Sequence, residues 1–177
     1  SPTLAFELMV RKLEEKFKKS LDEVNNIRAQ MHTDPVKEAF KPYLEDLFLK
    51  AFLPVAMKDV NRNFHTREAV IQAKMSFEEY ERWLKQAKLT ERTNISFVAC
   101  NKSYALSIEP QWTPDDEEEN EMQWPEFLEM LTRMSMHTHR NGCSLADSVR
   151  ALCEHLVGSC GAMANVRPVL LNLPRDA

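Results

Sequence analysis

The sequence predicts an all-α fold, and three observations support that prediction. Apolar residues recur at helical spacing through long stretches, and clusters of β-branched residues are few. One pattern occurs twice, 47 residues apart, and each copy has the apolar spacing of a helix. The chain has only three glycines, which argues against the Gly-rich phosphate loops of nucleotide-binding α/β folds. We therefore expect packed helices with no more than a minimal β-pairing.

Bulk composition narrows the classes of function. With 177 residues, 44% of them hydrophobic and 28% charged, the chain is long enough for one domain with extensions. Its net charge of −4 gives no general attraction to nucleic acid or to an anionic membrane, so neither is an expected partner. The absence of any apolar run of about 18 residues predicts no membrane span. The four cysteines lack CxxC spacing and are interpreted as reduced thiols of a cytoplasmic protein.

Residues 1–33 form the first predicted segment, an amphipathic helix that is prone to form a coiled coil. Its apolar residues recur in alternating steps of four and three, which is an a/d heptad seam with one serine in it. Two interpretations stay open. The helix lies along its own domain, or it pairs with a second copy or with another protein. The predicted seam consists of Phe6, Val10, Leu13, Phe17, Val24, Ile27 and Met31.

A second helix is predicted to follow directly. Asp34 is expected to cap it and Pro35 to start it, and apolar residues continue at helical spacing beyond them. Pro54 is expected to end or kink the helix, because proline lacks the backbone N–H and clashes with the preceding turn. This helix would begin the second segment, 34–141, and a C-terminal helix and tail would form the third, 142–177.

The repeated pattern covers residues 74–84 and 121–131. When the two copies are aligned, methionine lies on methionine, glutamate on glutamate, and the aromatic or large apolar positions coincide. An apolar residue followed four positions later by glutamate and an aromatic residue is typical of an EF-hand loop entering its exiting helix. Met75 and Met122 would then pair in a minimal β-ladder. The sequence therefore predicts an EF-hand-like pair of four helices with two long degenerate loops.

Each copy also has a simpler interpretation, as an ordinary capped helix. Ser76 and Glu79 have the spacing of a capping box, and Pro125 suits the first turn of a helix. The recurrence of the whole pattern at one period favours the EF-hand-like pair over two unrelated capped helices.

Calcium sensing is the alternative function that the second loop suggests. The first loop lacks the required residues, since Phe64 stands where glycine is needed and Val70 where the closing glutamate is needed. In the second loop, the third and fifth positions have glutamate, whose side chain is too long for the space around the calcium ion that aspartate usually fills. Pro114 also prevents an entering helix from reaching the loop. A solvated acidic loop is therefore favoured over a calcium cofactor. The candidate calcium ligands are Asp115, Glu117, Glu119 and Glu126.

A partner-binding groove is the functional surface that an EF-hand-like pair would offer. Such grooves are lined by aromatic side chains and methionine, and a helix binds in them. The occupant would be the first or last helix of this chain or a helix of another protein, and the simpler alternative is a plain core. The predicted groove residues are Phe48, Phe52, Tyr80, Trp83, Phe97, Phe127, Leu131 and Met134.

Three stretches, KMSFEEYERWLKQAKL, MQWPEFLEMLTRMSMHTH and SLADSVRALCEHLV, occur in an order that resembles a degenerate EF-hand-like module of flagellar and ciliary proteins. The region is similar to the C-terminal part of MORN-repeat radial spoke head proteins, and residues 124–134 carry most of the similarity. The resemblance implies a non-catalytic scaffold or docking module of the flagellar (axonemal) cytoskeleton that does not depend on calcium. Its partner would be a helix of another cytoskeletal protein or a second copy.

No enzymatic activity is expected. Neither a nucleophile with its base, nor a phosphate loop, nor a pair of catalytic carboxylates can be placed from the sequence.

Overall fold

Every regular element that the structure describes is helical, which confirms the all-α class. The structure is a computed structural model that describes residues 2–56, 73–108, 121–138 and 142–160. None of the helices in these ranges has the length and apolar character that crossing a membrane requires.

Seven helical segments follow one another in the described ranges. In chain order they are α1 (Pro2–Met31), α2 (34–56), α3 (Phe77–Gln86), α4 (Leu89–Arg92), α5 (Phe97–Ile108), α6 (Trp124–His137) and α7 (Leu145–Cys160). Helices α3 and α6 begin within the two copies of the repeated pattern. Helices α1 and α7 lie in the predicted N-terminal and C-terminal segments.

Helix α2 is continuous but irregular. It consists of an α-helical segment (Asp34–Phe40), a 3₁₀ turn (Lys41–Tyr43), a short α-helical turn (Leu44–Asp46), a π-helical segment (Leu47–Phe52) and a last α-helical turn (Leu53–Ala56).

Two details of α2 differ from the prediction. Its N-cap is Thr33, which has extended backbone, whereas Asp34 already lies inside the helix. Pro54 does not end the helix, which continues to Ala56, the last residue that the structure describes in this stretch. The ring of a proline clashes with the carbonyl group four residues earlier, and here that residue, Lys50, lies in the wider π-helical segment. The wider turn is what lets the helix pass the proline.

The two copies of the repeated pattern meet at Met75 and Met122. These residues form an isolated antiparallel bridge, in which each backbone N–H donates to the carbonyl oxygen of the other over 2.8 Å. Both methionines are fully buried. Because each one directly precedes the cap of a helix, the bridge places the starts of α3 and α6 side by side.

Helix α6 is the central helix of the core. Helices α1, α5 and α7 and the π-helical segment of α2 all pack against it. Helix α7 also packs along α2, and α1 contacts the beginning of α2. With neighbours on every side, α6 buries all of residues 129–135.

Candidate functional site

Most of the predicted groove residues are buried together in the core. Phe48 is half-buried and packs against this core. Phe97 departs from the prediction with 46% exposure, because it is the first residue of α5 and burial on that helix begins only at Cys100. The predicted groove is therefore closed in the described structure. Its fully buried members are Phe52, Tyr80, Trp83, Phe127, Leu131 and Met134.

Aromatic rings connect the two copies of the repeat through this core. The rings of Trp83 and Phe127 meet edge to face with centroids 5.3 Å apart, and Phe127 lies 5.3 Å from Phe52. Trp124, which the sequence reasoning missed, lies 5.0 Å from Phe48 and 5.5 Å from Phe52. The signal that could have found it is its place in the repeated pattern, where the other copy also has an aromatic residue.

Helix α7 closes the core on the side of α2 and α6. At one edge, the hydroxyl of Tyr43 in α2 donates to Oε1 of Glu154 over 2.9 Å. The last described helix of the chain thus covers this side of the core. The buried residues of its inner face are Val149, Leu152, Cys153 and Leu156, none of them more than 3% exposed.

Tyr104, also missed from the sequence, lies where α5 meets the bridge between the two copies. Its hydroxyl donates to the carbonyl oxygen of Met75 over 3.2 Å in the protein interior. Burial raises the pKa of Tyr104, and the nearby carboxylates of Glu121, Glu126 and Glu79 raise it further. The phenol therefore stays protonated and acts as a structural hydrogen-bond donor.

The described calcium candidate, Glu126, has a structural role. Its Oε2 atom accepts a hydrogen bond from the backbone N–H of Gln123 over 2.8 Å, which caps the start of α6. Burial raises the pKa of Glu126, and this hydrogen bond opposes the rise. The other candidate ligands lie outside the described residues, namely Asp115, Glu117 and Glu119.

The equivalent glutamate of the first copy, Glu79, caps α3 in the same way. Its Oε2 atom accepts from the backbone N–H of Ser76 over 2.8 Å, and the Ser76 hydroxyl accepts from the backbone N–H of Glu79 over 3.2 Å. The predicted capping box is confirmed. In both copies, the carboxylate at this aligned position accepts a hydrogen bond from a backbone donor at the start of a helix.

A cleft of about 530 Å³ lies between α4 and the start of α7 and includes Arg92 and His155 in its lining. Its carboxylate, Asp147, accepts hydrogen bonds from the hydroxyl and the backbone N–H of Ser144, and these lower the pKa of Asp147. Cys143 in the lining is an exposed free thiol. Among the described residues, no three His, Cys, Asp or Glu side chains are grouped as a metal site. Asp147, the one acid among the described lining residues, thus caps α7.

The heptad seam of α1 divides into an exposed half and a packed half. Phe6 and Leu13 are 62% and 58% exposed, and Val10 is half-buried. Ile27 is only 6% exposed, and Met31 is half-buried. Among the seam side chains that the structure describes, Ile27 is thus the one that the body of the protein buries. Two seam side chains lie outside the described part of the structure, namely Phe17 and Val24.

A shared carboxylate fastens the packed half of α1 to α6. Oε1 of Glu129 accepts from Nε of Arg28 in α1 over 3.0 Å and from Nη2 of Arg133 over 2.6 Å. The side chains of Glu129 and Arg133 are only 10% and 6% exposed. A buried charge of this kind needs its partners, so the cluster fixes where α1 sits on the body.

Comparison with known proteins adds no relative. No family model matches the chain, and no curated protein or solved structure matches it significantly.

Proposed function

We propose that this chain is a non-catalytic protein–protein interaction module built on an EF-hand-like pair. The observation that carries the proposal is the bridge between Met75 and Met122, with glutamate caps at equivalent positions of α3 and α6. An EF-hand is a helix, a loop and a second helix. Under this proposal α2 and α5 are the entering helices, and α3 and α6 are the exiting helices.

The module acts as a closed scaffold rather than as a calcium-opened sensor. Sensor EF-hands expose a hydrophobic groove when calcium binds. Here α7 already covers the core between α2 and α6, and Glu79 and Glu126 are engaged in caps. These contacts support a shape that does not depend on calcium.

The partner contact lies on residues 4–16 of α1, which we call the arm. Clustered apolar exposure of this kind marks interaction sites. The ion pair between Arg28 and Glu129 holds α1 to the body, so a rigid helix presents the arm. The proposed setting in the flagellar cytoskeleton rests on the sequence resemblance alone. The exposed apolar residues of the arm are Leu4, Phe6, Leu8, Met9 and Leu13, each at least 50% exposed.

A pull-down from an extract of flagellated cells tests this function, with the full chain as bait and Leu13→Asp as the matched variant. We expect cytoskeletal proteins to be retained by the wild-type chain and lost with Leu13→Asp. Because Leu13 is 58% exposed, the two baits should melt at the same temperature. Equal recovery by both baits would reject the arm as the contact.

A calcium titration by calorimetry tests the scaffold against the sensor. We expect no heat up to millimolar calcium and the same pull-down recovery with calcium or chelator. Micromolar binding that is lost in Glu126→Gln would replace the scaffold with a calcium sensor.

A further inference from the structure

We draw no further inference here: the strongest candidate, the cleft of about 530 Å³ between α4 and the start of α7, carries nothing because Arg92 and Asp147 give its lining charges of opposite sign and nothing in the described structure shows what chemistry would bind there.

Discussion

Helices α3 and α6 begin with the same pattern, yet they have different surroundings. Helix α3 packs against α4 and the end of α2, and it buries one face while Lys85 and Gln86 stay exposed. Helix α6 is surrounded by α1, α5, α7 and part of α2, and it buries all of residues 129–135. The same amphipathic pattern thus yields an edge helix in one copy and a central helix in the other.

One pair of equivalent residues accounts for where α1 packs. Arg82 in the first copy aligns with Glu129 in the second. Glu129 accepts hydrogen bonds from Arg28 of α1 and from Arg133. An arginine at that position offers only donors, so the first copy has no acceptor there for Arg28. The pseudo-symmetry of the repeat is thus broken by a difference in charge at one pair of equivalent positions, Arg82 and Glu129.

The largest expected effect comes from giving the second copy the residue of the first. Glu129→Arg would place three guanidinium groups together in a buried site, so we expect about 3–5 kcal/mol loss in the free energy of unfolding. Backbone amides near Ile27 should exchange faster because α1 loses its anchor. Urea denaturation and hydrogen exchange measure the two effects.

Arg82→Glu is the matched control. Because Arg82 is only half-buried, we expect it to lower the free energy of unfolding by less than Glu129→Arg does. An equal loss in both variants would show that the two positions are equivalent after all. The anchoring role of Glu129 would then be rejected.

The next-largest effects are expected at Trp83 and Met130, two buried residues at equivalent positions of the two copies. The quantity to compare is the loss in the free energy of unfolding when each is replaced. We expect Trp83→Ala to cost about 4 kcal/mol and Met130→Ala about 3 kcal/mol, because the tryptophan leaves the larger cavity. Trp83→Phe should cost less than about 2 kcal/mol, since the buried Nε1 of Trp83 has no hydrogen-bond partner in the described structure. Urea denaturation of the three variants measures this order. If Trp83→Phe lowers the free energy of unfolding by more than about 2 kcal/mol, the indole N–H has a hydrogen-bond acceptor.

A smaller difference in the free energy of unfolding is expected between variants of Trp124 and Phe77, the aromatic residues that start α6 and α3. Trp124 is half-buried against three phenylalanine rings, whereas Phe77 is 45% exposed. We expect Trp124→Ala to cost about 2 kcal/mol and Phe77→Ala about 1 kcal/mol. Thermal unfolding of the two variants measures the difference. The reverse order would contradict the central position assigned to α6.

The smallest effect concerns pH. Burial raises the pKa of Glu126 above its ordinary value of 4.5. The folded state therefore favours the protonated form, and this contribution to stability is lost as the pH rises from about 4.5 through the raised pKa. Glu126→Gln keeps an acceptor for the Gln123 N–H and has no charge to bury. We expect it to flatten the stability curve in that range, and a curve identical to wild type would contradict the assignment.

The sequence predicted the local elements well because their signals are local. Ser76 and Glu79 specify a cap within a few residues, and the recurrence of the pattern predicted that Met75 and Met122 meet. The prediction that Pro54 ends or kinks its helix was wrong on the ending, because a wider helical turn upstream accommodates the ring. That adjustment depends on packing along α2 and has no local signal.

By itself, the sequence determined most of the helices, the capping box of α3, the contact between the two copies and the apolar seam of α1. Only the tertiary structure decided what covers each apolar face. It placed α7 over α2 and α6, left Phe97 exposed, and covered the seam of α1 at Ile27 but not at Leu13. The physical reason is that periodicity marks which face of a helix is apolar. Which neighbour buries that face depends on the shape and charge of distant segments, such as the carboxylate of Glu129.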